Sequence, residues 1–355
     1  MKIIQKIYRY RLFNVEMRNN YFEINFIYEK LIAKMMILDS NGIVIEDWFG
    51  INLHSETCQE IDFHPNIPWI ASAGWDNHLK IFDVNRRLII YEHQMDDNVR
   101  YVQFSPDGQF LAVSTVTTIS VFRVNVNLPR RSLEKIKDFS NNGQNCWCVA
   151  WSPNGKYFAF GLFDGTISIF EIGTWTELRK MELTIKTIVH IAFSPSSGFL
   201  AATGSKENQV IIIDVRGMPE IWKVQHTIPN LPYEGRKCIW SKDGKYLFVA
   251  LWGTESFVYN SNDWTVNTTI NSEDKGLGGD ISNDQQVLGL ASESGHYVFY
   301  KLNRNNEKWE PLGNYHTEDS FPWDFKWSPH GQWIAANFHD GRLHLMRYQN
   351  INFNV

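Results

Sequence analysis

The run CVAWSPNGKYFAFGLFDGTISIFE, residues 148–171, reads as three strands and two turns. Cys148–Trp151 is a short apolar strand. Ser152-Pro153-Asn154-Gly155 follows as a turn, in which Pro pre-sets φ and Gly takes a conformation other residues resist. A β-rich run, KYFAFGLF (156–163), leads to Asp164-Gly165 and then to TISIFE (166–171). Asp-Gly between two such runs is a strong hairpin signal. A fourth, more polar strand, ELRKMEL (177–183), comes next.

The same turn recurs along the chain as FHPN (63–66), FSPDG (104–108), WSPNG (151–155), FSPSSG (193–198), WSKDG (240–244), ISND (281–284) and WSPHG (327–331). Its anchors are Phe63, Phe104, Trp151, Phe193, Trp240, Ile281 and Trp327, spaced by 41, 47, 42, 47, 41 and 46 residues, a mean period of 44. Self-similarity at such a period marks a repeat architecture, and four antiparallel strands per period make one propeller blade. The fold class predicted is all-β, a seven-bladed β-propeller over residues 42–355. Only Tyr348–Val355 remain after the last third strand, while GIVIEDWF (42–49) stands upstream with no blade of its own. We expect 42–49 to be the outer strand of the seventh blade, pairing with 343–347 and closing the ring so that no sheet edge stays open there.

Composition agrees with a folded chain that is not a nucleic-acid wrapper. The 355 residues are 43% hydrophobic and 21% charged, with a formal net charge of −5. No apolar run approaches the roughly 20 residues of a spanning helix, so no membrane insertion is expected. The four cysteines do not form a disulfide framework, and Cys146-Trp147-Cys148 reads as small apolar residues in a strand. We expect a soluble protein of a reducing compartment. The eleven histidines show no HxH or HExxH spacing, so neither a metal nor a cofactor is implied.

Residues 1–34 differ from the rest. They hold seven Lys/Arg against three Asp/Glu, a net +4, and contain no Gly or Pro; the remainder carries −9. Three readings of this basic leader stand. It is translated sequence ahead of a start at Met35 or Met36 and outside the fold; or Tyr28–Leu38 forms a short helix docked on the propeller; or it is a targeting segment, against which the acids Glu16, Glu23 and Glu29 argue.

A propeller brings equivalent positions onto one ring, so function should show at one repeat offset. Twelve residues after the anchor stand Trp75, Phe163 and Trp252, aromatic where turn tips are normally polar, with Phe338 beside His339 in the last copy. Four before the anchor stand Gln59, Arg100, Trp147, Val189, Arg236, Leu277 and Trp323, placed at the channel mouth. The candidate partner-binding residues are therefore Trp75, Phe163, Trp252 and Phe338, as aromatic anchors of the kind that dominate interface hot spots, and Arg100, Trp147, Arg236 and Trp323, two cations and two aromatics able to grip an acidic or extended segment. The competing expectation is that Arg100 and Arg236 pair with the carboxylates Glu60, Asp62, Asp280 and Asp324. No nucleophile elbow, phosphate loop or dinucleotide fingerprint occurs. The offset three before the anchor (Glu60, Tyr101, Cys148, His190, Lys237, Gly278, Asp324) is mixed in charge. No catalysis is expected.

The repeat resembles the WD-repeat family. The turn acid stands at Asp76, Asp164 and Asp340, but the Trp-Asp ending is replaced by pairs such as Phe82-Asp83, and the Gly-His dipeptide is missing. Over about residues 50–348 the pattern is similar to the Aladin family of WD-repeat nucleoporins: NVRYVQFSPDGQFLAVSTVTTISVFRV (98–124) followed by a Leu-Pro insert, RKCIWSKDGKYLFVALWGTESFVYNS (236–261), LGGD (277–280) and GRLHLMRY (341–348). That resemblance implies a peripheral scaffold of the nuclear pore complex, at the nuclear envelope, held by a transmembrane nucleoporin, as a monomeric propeller in a larger complex without direct nucleic-acid contact. IIDVR (212–216) gives an alternative, because its Asp-x-Arg ending resembles that of propellers that serve as substrate receptors of cullin-RING ubiquitin ligases. A third reading is an unclassified WD-repeat adaptor, cytoplasmic if the nuclear-pore resemblance fails.

Overall fold

The computed structural model describes residues 11–18, 21–28, 31–37, 43–126, 132–141, 143–272, 274–316 and 321–350. They form seven antiparallel sheets arranged as blades. Blade 1 runs Cys58–Phe63, Trp69–Gly74, His78–Asp83 and Leu88–Gln94 from the channel outward. Blades 2 to 6 repeat that order, with innermost strands Val99–Phe104, Cys146–Trp151, Ile188–Phe193, Gly235–Trp240 and Gly276–Ile281. Blade 7 takes Pro322–Trp327, Trp333–Phe338 and Arg342–Asn350 from the end of the chain and Ile43–Asn52 from its beginning. The last two pair from Arg342↔Asn52 to Asn350↔Ile43, which is the closure expected from the orphan upstream strand.

The recurring turn is built by its serine. Ser105 donates to Asp107 (2.6 Å) and accepts from the Phe110 N–H (2.9 Å). Ser152, Ser241 and Ser282 repeat both bonds with Asn154/Tyr157, Asp243/Tyr246 and Asp284/Val287. In copies 2 to 7 the residue four after the anchor takes positive φ, as Gly155 does at 69°. In FSPSSG that place falls to Ser197 at φ 57°, not to the glycine after it.

All seven anchors are buried. Each of seven apolar clusters draws on two neighbouring blades, so no blade has a core of its own. The joint between blades 7 and 1 packs Leu53, Ile61 and Phe82 against Ala335 and Leu345. Anchor indoles tie blades further: Trp151 donates to the Gln103 carbonyl and Trp240 to the Ala192 carbonyl, both at 3.1 Å.

The leader bears on blade 7. Arg11–Arg18, Tyr21–Tyr28 and Leu31–Ile37 are strands that extend its sheet outward, joined by Ile37↔Val44. Leu31–Ile37 is therefore not the helix expected there: it pairs in register with Tyr21–Tyr28, whose aromatic and β-branched content favours a pleated strand.

One polar network was missed by reading the sequence. His54 Nδ1–H donates to Asp76 Oδ1 (2.9 Å), and its Nε2 accepts from the Ser72 hydroxyl (2.8 Å). Burial keeps His54 below its ordinary pKa despite Asp76. Burial opposes the Asp76 charge, but bonds from His54, Ser55 and His78 hold its carboxyl well below the usual range. A side chain at Gly74 would overlap both partners, its Cβ 2.1 Å from His54 Nδ1. His54→Ala should cost about 1–3 kcal/mol, by leaving the Ser72 hydroxyl without its partner and Asp76 with one bond fewer, and urea unfolding of the two proteins measures it.

Candidate functional site at the channel mouth

The innermost strand of every blade carries the same irregularity. Cys58 pairs with Gly74 and Glu60 with Ala73, skipping Gln59. The other six strands skip Arg100, Trp147, Val189, Arg236, Leu277 and Trp323 in the same way. A bulge re-aims the side chain of its extra residue, and here it turns all seven onto one mouth of the channel, around a pocket of about 60 Å³.

The residue twelve after the anchor closes over the bulge of its own blade. Its N–H bonds back across the strand, Trp75 to Thr57 O (2.9 Å), Phe163 to Asn145 O (3.0 Å) and Trp252 to Glu234 O (2.8 Å). Its side chain then meets the bulged one. Trp75 Nε1 donates to Gln59 (2.8 Å), Phe163 packs on Trp147 with centroids 4.9 Å apart, and His339 stacks on Trp323 at 6.3 Å. The two offsets predicted from the sequence are thus one belt. Trp75 and Trp323 join across the ring closure at 6.4 Å.

Two arginines are threaded into this belt. Arg100 lies 4.7 Å from the Trp75 ring and 5.9 Å from Trp147. Arg236 lies 5.0 Å from Trp252 and 5.7 Å from Trp323. Burial pulls both guanidiniums below their ordinary pKa, yet they stay charged at neutral pH. Lys275, also over Trp252, is paired with Glu293 at 3.2 Å.

Exposure separates the members. Trp252 is 38% exposed, while Trp75, Phe163, Trp147 and Trp323 are half-buried by one another. Phe338 is 1% exposed and does not belong to the face. It ends the second strand of blade 7 with its ring in the apolar cluster between blades 6 and 7, while the next residue, His339, takes the rim position.

The expected pairing of Arg100 and Arg236 with channel carboxylates does not occur. One layer below the belt, lysines take those carboxylates. Lys326 Nζ lies 2.6 Å from Glu60, 3.5 Å from Asp62 and 3.9 Å from Asp324, and Lys237 bonds Asp324. Asp280 accepts instead from the backbone of Ile281 and Trp327. Burial, then the neighbouring Asp324, raises Glu60 to about 8. Burial opposes the Asp324 charge too, but Lys237 and Lys326 hold its carboxyl below the ordinary value. Burial and the same two lysines bring His190 down to about 3, so it is neutral where it meets Tyr101 (3.1 Å). Burial raises the Cys238 thiol beside it well above its ordinary value. Neither His190 nor Cys238 is therefore disposed to proton transfer or attack. The far end of the channel holds a cavity of about 440 Å³ lined in part by Asp62, His190, Lys237 and Lys242. Among the described residues no group of His, Cys, Asp and Glu is placed to hold a metal.

Blade 6 makes the Lys237–Asp324 bond possible. Lys237 is in blade 5 and Asp324 in blade 7, and between them stands Gly278, where a Cβ would come 2.3 Å from Asp324 Oδ1.

Family models match two parts of this ring. One, described as WD domain, G-beta repeat, covers residues 51–83, the blade that holds the His54–Ser72–Asp76 network. The fold is a seven-bladed β-propeller of WD-repeat type. A second model, the anaphase-promoting complex subunit 4 WD40 domain, matches residues 116–196. Among curated relatives, the propeller is 31% identical over 153 residues to WD repeat-containing protein VIP3 of Arabidopsis thaliana, covering 40% of this chain and 47% of that one. It is 29% identical over 201 residues to eukaryotic translation initiation factor 3 subunit I of Meyerozyma guilliermondii, covering 52% and 57%. It is 25% identical over 173 residues to THO complex subunit 3 of Arabidopsis thaliana, covering 48% and 50%. The WD-repeat propeller thus spans about half the length of the relatives it matches.

Two substitutions test the layer beneath the belt. Gly278→Ala should destabilise by about 1–3 kcal/mol through overpacking, measured as a fall in the denaturant midpoint. Glu60 binds a proton more tightly folded than unfolded, so its contribution is intact at acid pH and is lost as pH rises from about 4.5 to about 8. Glu60→Gln should flatten that decline in a series of unfolding curves across this pH range.

Proposed function

We propose that this WD-repeat propeller is a non-catalytic interaction scaffold, one subunit of a multi-protein assembly, and that its partner docks on the belt at the channel mouth. The observation that carries this reading is the convergence on one rim of Trp147, Trp323, Arg100 and Arg236, aimed there by their bulges, with Trp75 and Trp252, which close over them from the following turns. Tryptophan and arginine are the residues that dominate interface energies, and a rigid ring spares them much of the entropy lost on binding. Two of the relatives are named as subunits of larger bodies, an initiation factor and the THO complex, which supports the scaffold part of the reading.

Residence at the nuclear envelope within the pore complex, beside a transmembrane nucleoporin, rests on the pattern resemblance of blades 2, 5, 6 and 7 to the Aladin family. None of the three relatives named above is a nucleoporin. A tagged chain concentrated at the nuclear rim is the outcome that this finer reading requires. The cullin-RING alternative rested on Asp214 and Arg216. Arg216 donates to Asp214 from Nε (2.9 Å) and Nη2 (2.6 Å) and lies over Phe199, an arrangement that supports a structural role for the pair.

Trp252→Ala tests the docking face, because Trp252 is the most exposed of its aromatic members. In affinity purification of the tagged chain, its stoichiometric partner should be retained with an affinity weaker by about 2 kcal/mol or more. The melting temperature should stay within a degree or two of the parent. Undiminished binding would remove Trp252 from the face.

A further inference from the structure

We propose that the belt receives an acidic segment of a partner protein, with Asp or Glu carboxylates bound by Arg100 and Arg236. This rests on the reading of the belt as the docking face and adds the chemistry of its occupant. A pair of tryptophans flanking an open space takes up a cation. Here both such places are already filled from within: Trp75 and Trp147 flank Arg100, and Trp252 and Trp323 flank Arg236. A lysine or arginine of a partner would have to displace a guanidinium of like charge.

Stacking uses the faces of a guanidinium and leaves its in-plane N–H groups for other bonds. Among the described residues, neither Arg100 nor Arg236 has a carboxylate within 4.0 Å, and the buried Nε of Arg100 has no hydrogen-bond partner. The acids that line the same channel are not free to supply one. Glu60, Asp62 and Asp324 are gathered by Lys326 and Lys237 in the layer below, and Asp280 accepts backbone N–H groups. Two desolvated, immobilised and unpaired forks therefore open on one mouth. A carboxylate completes such a fork bidentately, and it does so with a charge-assisted bond in a partly dehydrated site.

The test selects peptides from a random library displayed on phage against the full chain, and titrates the selected peptides by tryptophan fluorescence. Enrichment of Asp and Glu is expected. Exchange of the selected acids for Asn or Gln should weaken binding at least about tenfold, as should Arg100→Met with Arg236→Met. The peptide exchange reads the proposal on the unaltered chain, so it stands if the double variant fails to fold. Selection of basic or neutral peptides that lose binding in Trp252→Ala but not in the arginine variant overturns the acidic partner and leaves the docking face intact. Peptides indifferent to tryptophans and arginines alike, or no selection, overturn both. A phosphoserine peptide or a short single-stranded RNA that binds through the two arginines where the selected acids do not would overturn the carboxylate assignment.

Discussion

The ring exists because a strand from near the beginning of the chain, Ile43–Asn52, hydrogen-bonds to Arg342–Asn350 near its end. The other strand pairings of the six remaining sheets are between neighbours in sequence, and such pairings alone would leave an open arc with two exposed edges. Closure sets the curvature, and curvature brings seven separate strands to one channel. The joint is reinforced at three depths. Leu53 and Ile61 pack on Leu345, Lys326 of blade 7 pairs with Glu60 of blade 1, and Trp323 meets Trp75 on the rim.

Within the channel, charge is sorted by layer. Lysine is a compact point charge and takes the buried carboxylates; arginine is planar and lies between indole rings. The sorting follows from the bulges. A bulged residue is directed to the mouth, where in four blades an aromatic side chain from the next turn (Trp75, Phe163, Trp252 or His339) covers it, and the residue after it points into the enclosed channel. Lys237 and Arg236 are adjacent in sequence and end in these two environments. The enclosed layer fixes blades 5, 7 and 1 to one another, and the mouth above it is left with two arginines that have no carboxylate of the described ring within 4.0 Å.

Much of this was legible in the sequence. The anchors and their Ser-Pro-x-Gly turns gave the blade count, and the orphan strand gave the closure. Both offsets of the belt were visible, because residues at equal repeat positions must share a ring. Their contact was not, since the bulge that brings Trp147 under Phe163 is a matter of backbone register with no residue type to mark it. His54 was overlooked because Leu53 stands where a glycine was sought, although the network needs only the imidazole, Ser72 and Asp76. Phe338 was misplaced by one residue, and strand alternation turns that into burial. Arg100 and Arg236 were given partners that geometry assigns to lysines, a choice that depends on depth in the channel and not on charge.

Hydrogen exchange of the propeller alone and with its bound partner tests the docking of a partner on the belt most directly. Slowed exchange is expected in the bulged segments around Gln59, Arg100, Trp147, Arg236 and Trp323 and in the turns that begin at Trp75, Phe163 and Trp252. Protection confined to the outer strands, or to the opposite mouth around the anchors, would contradict it.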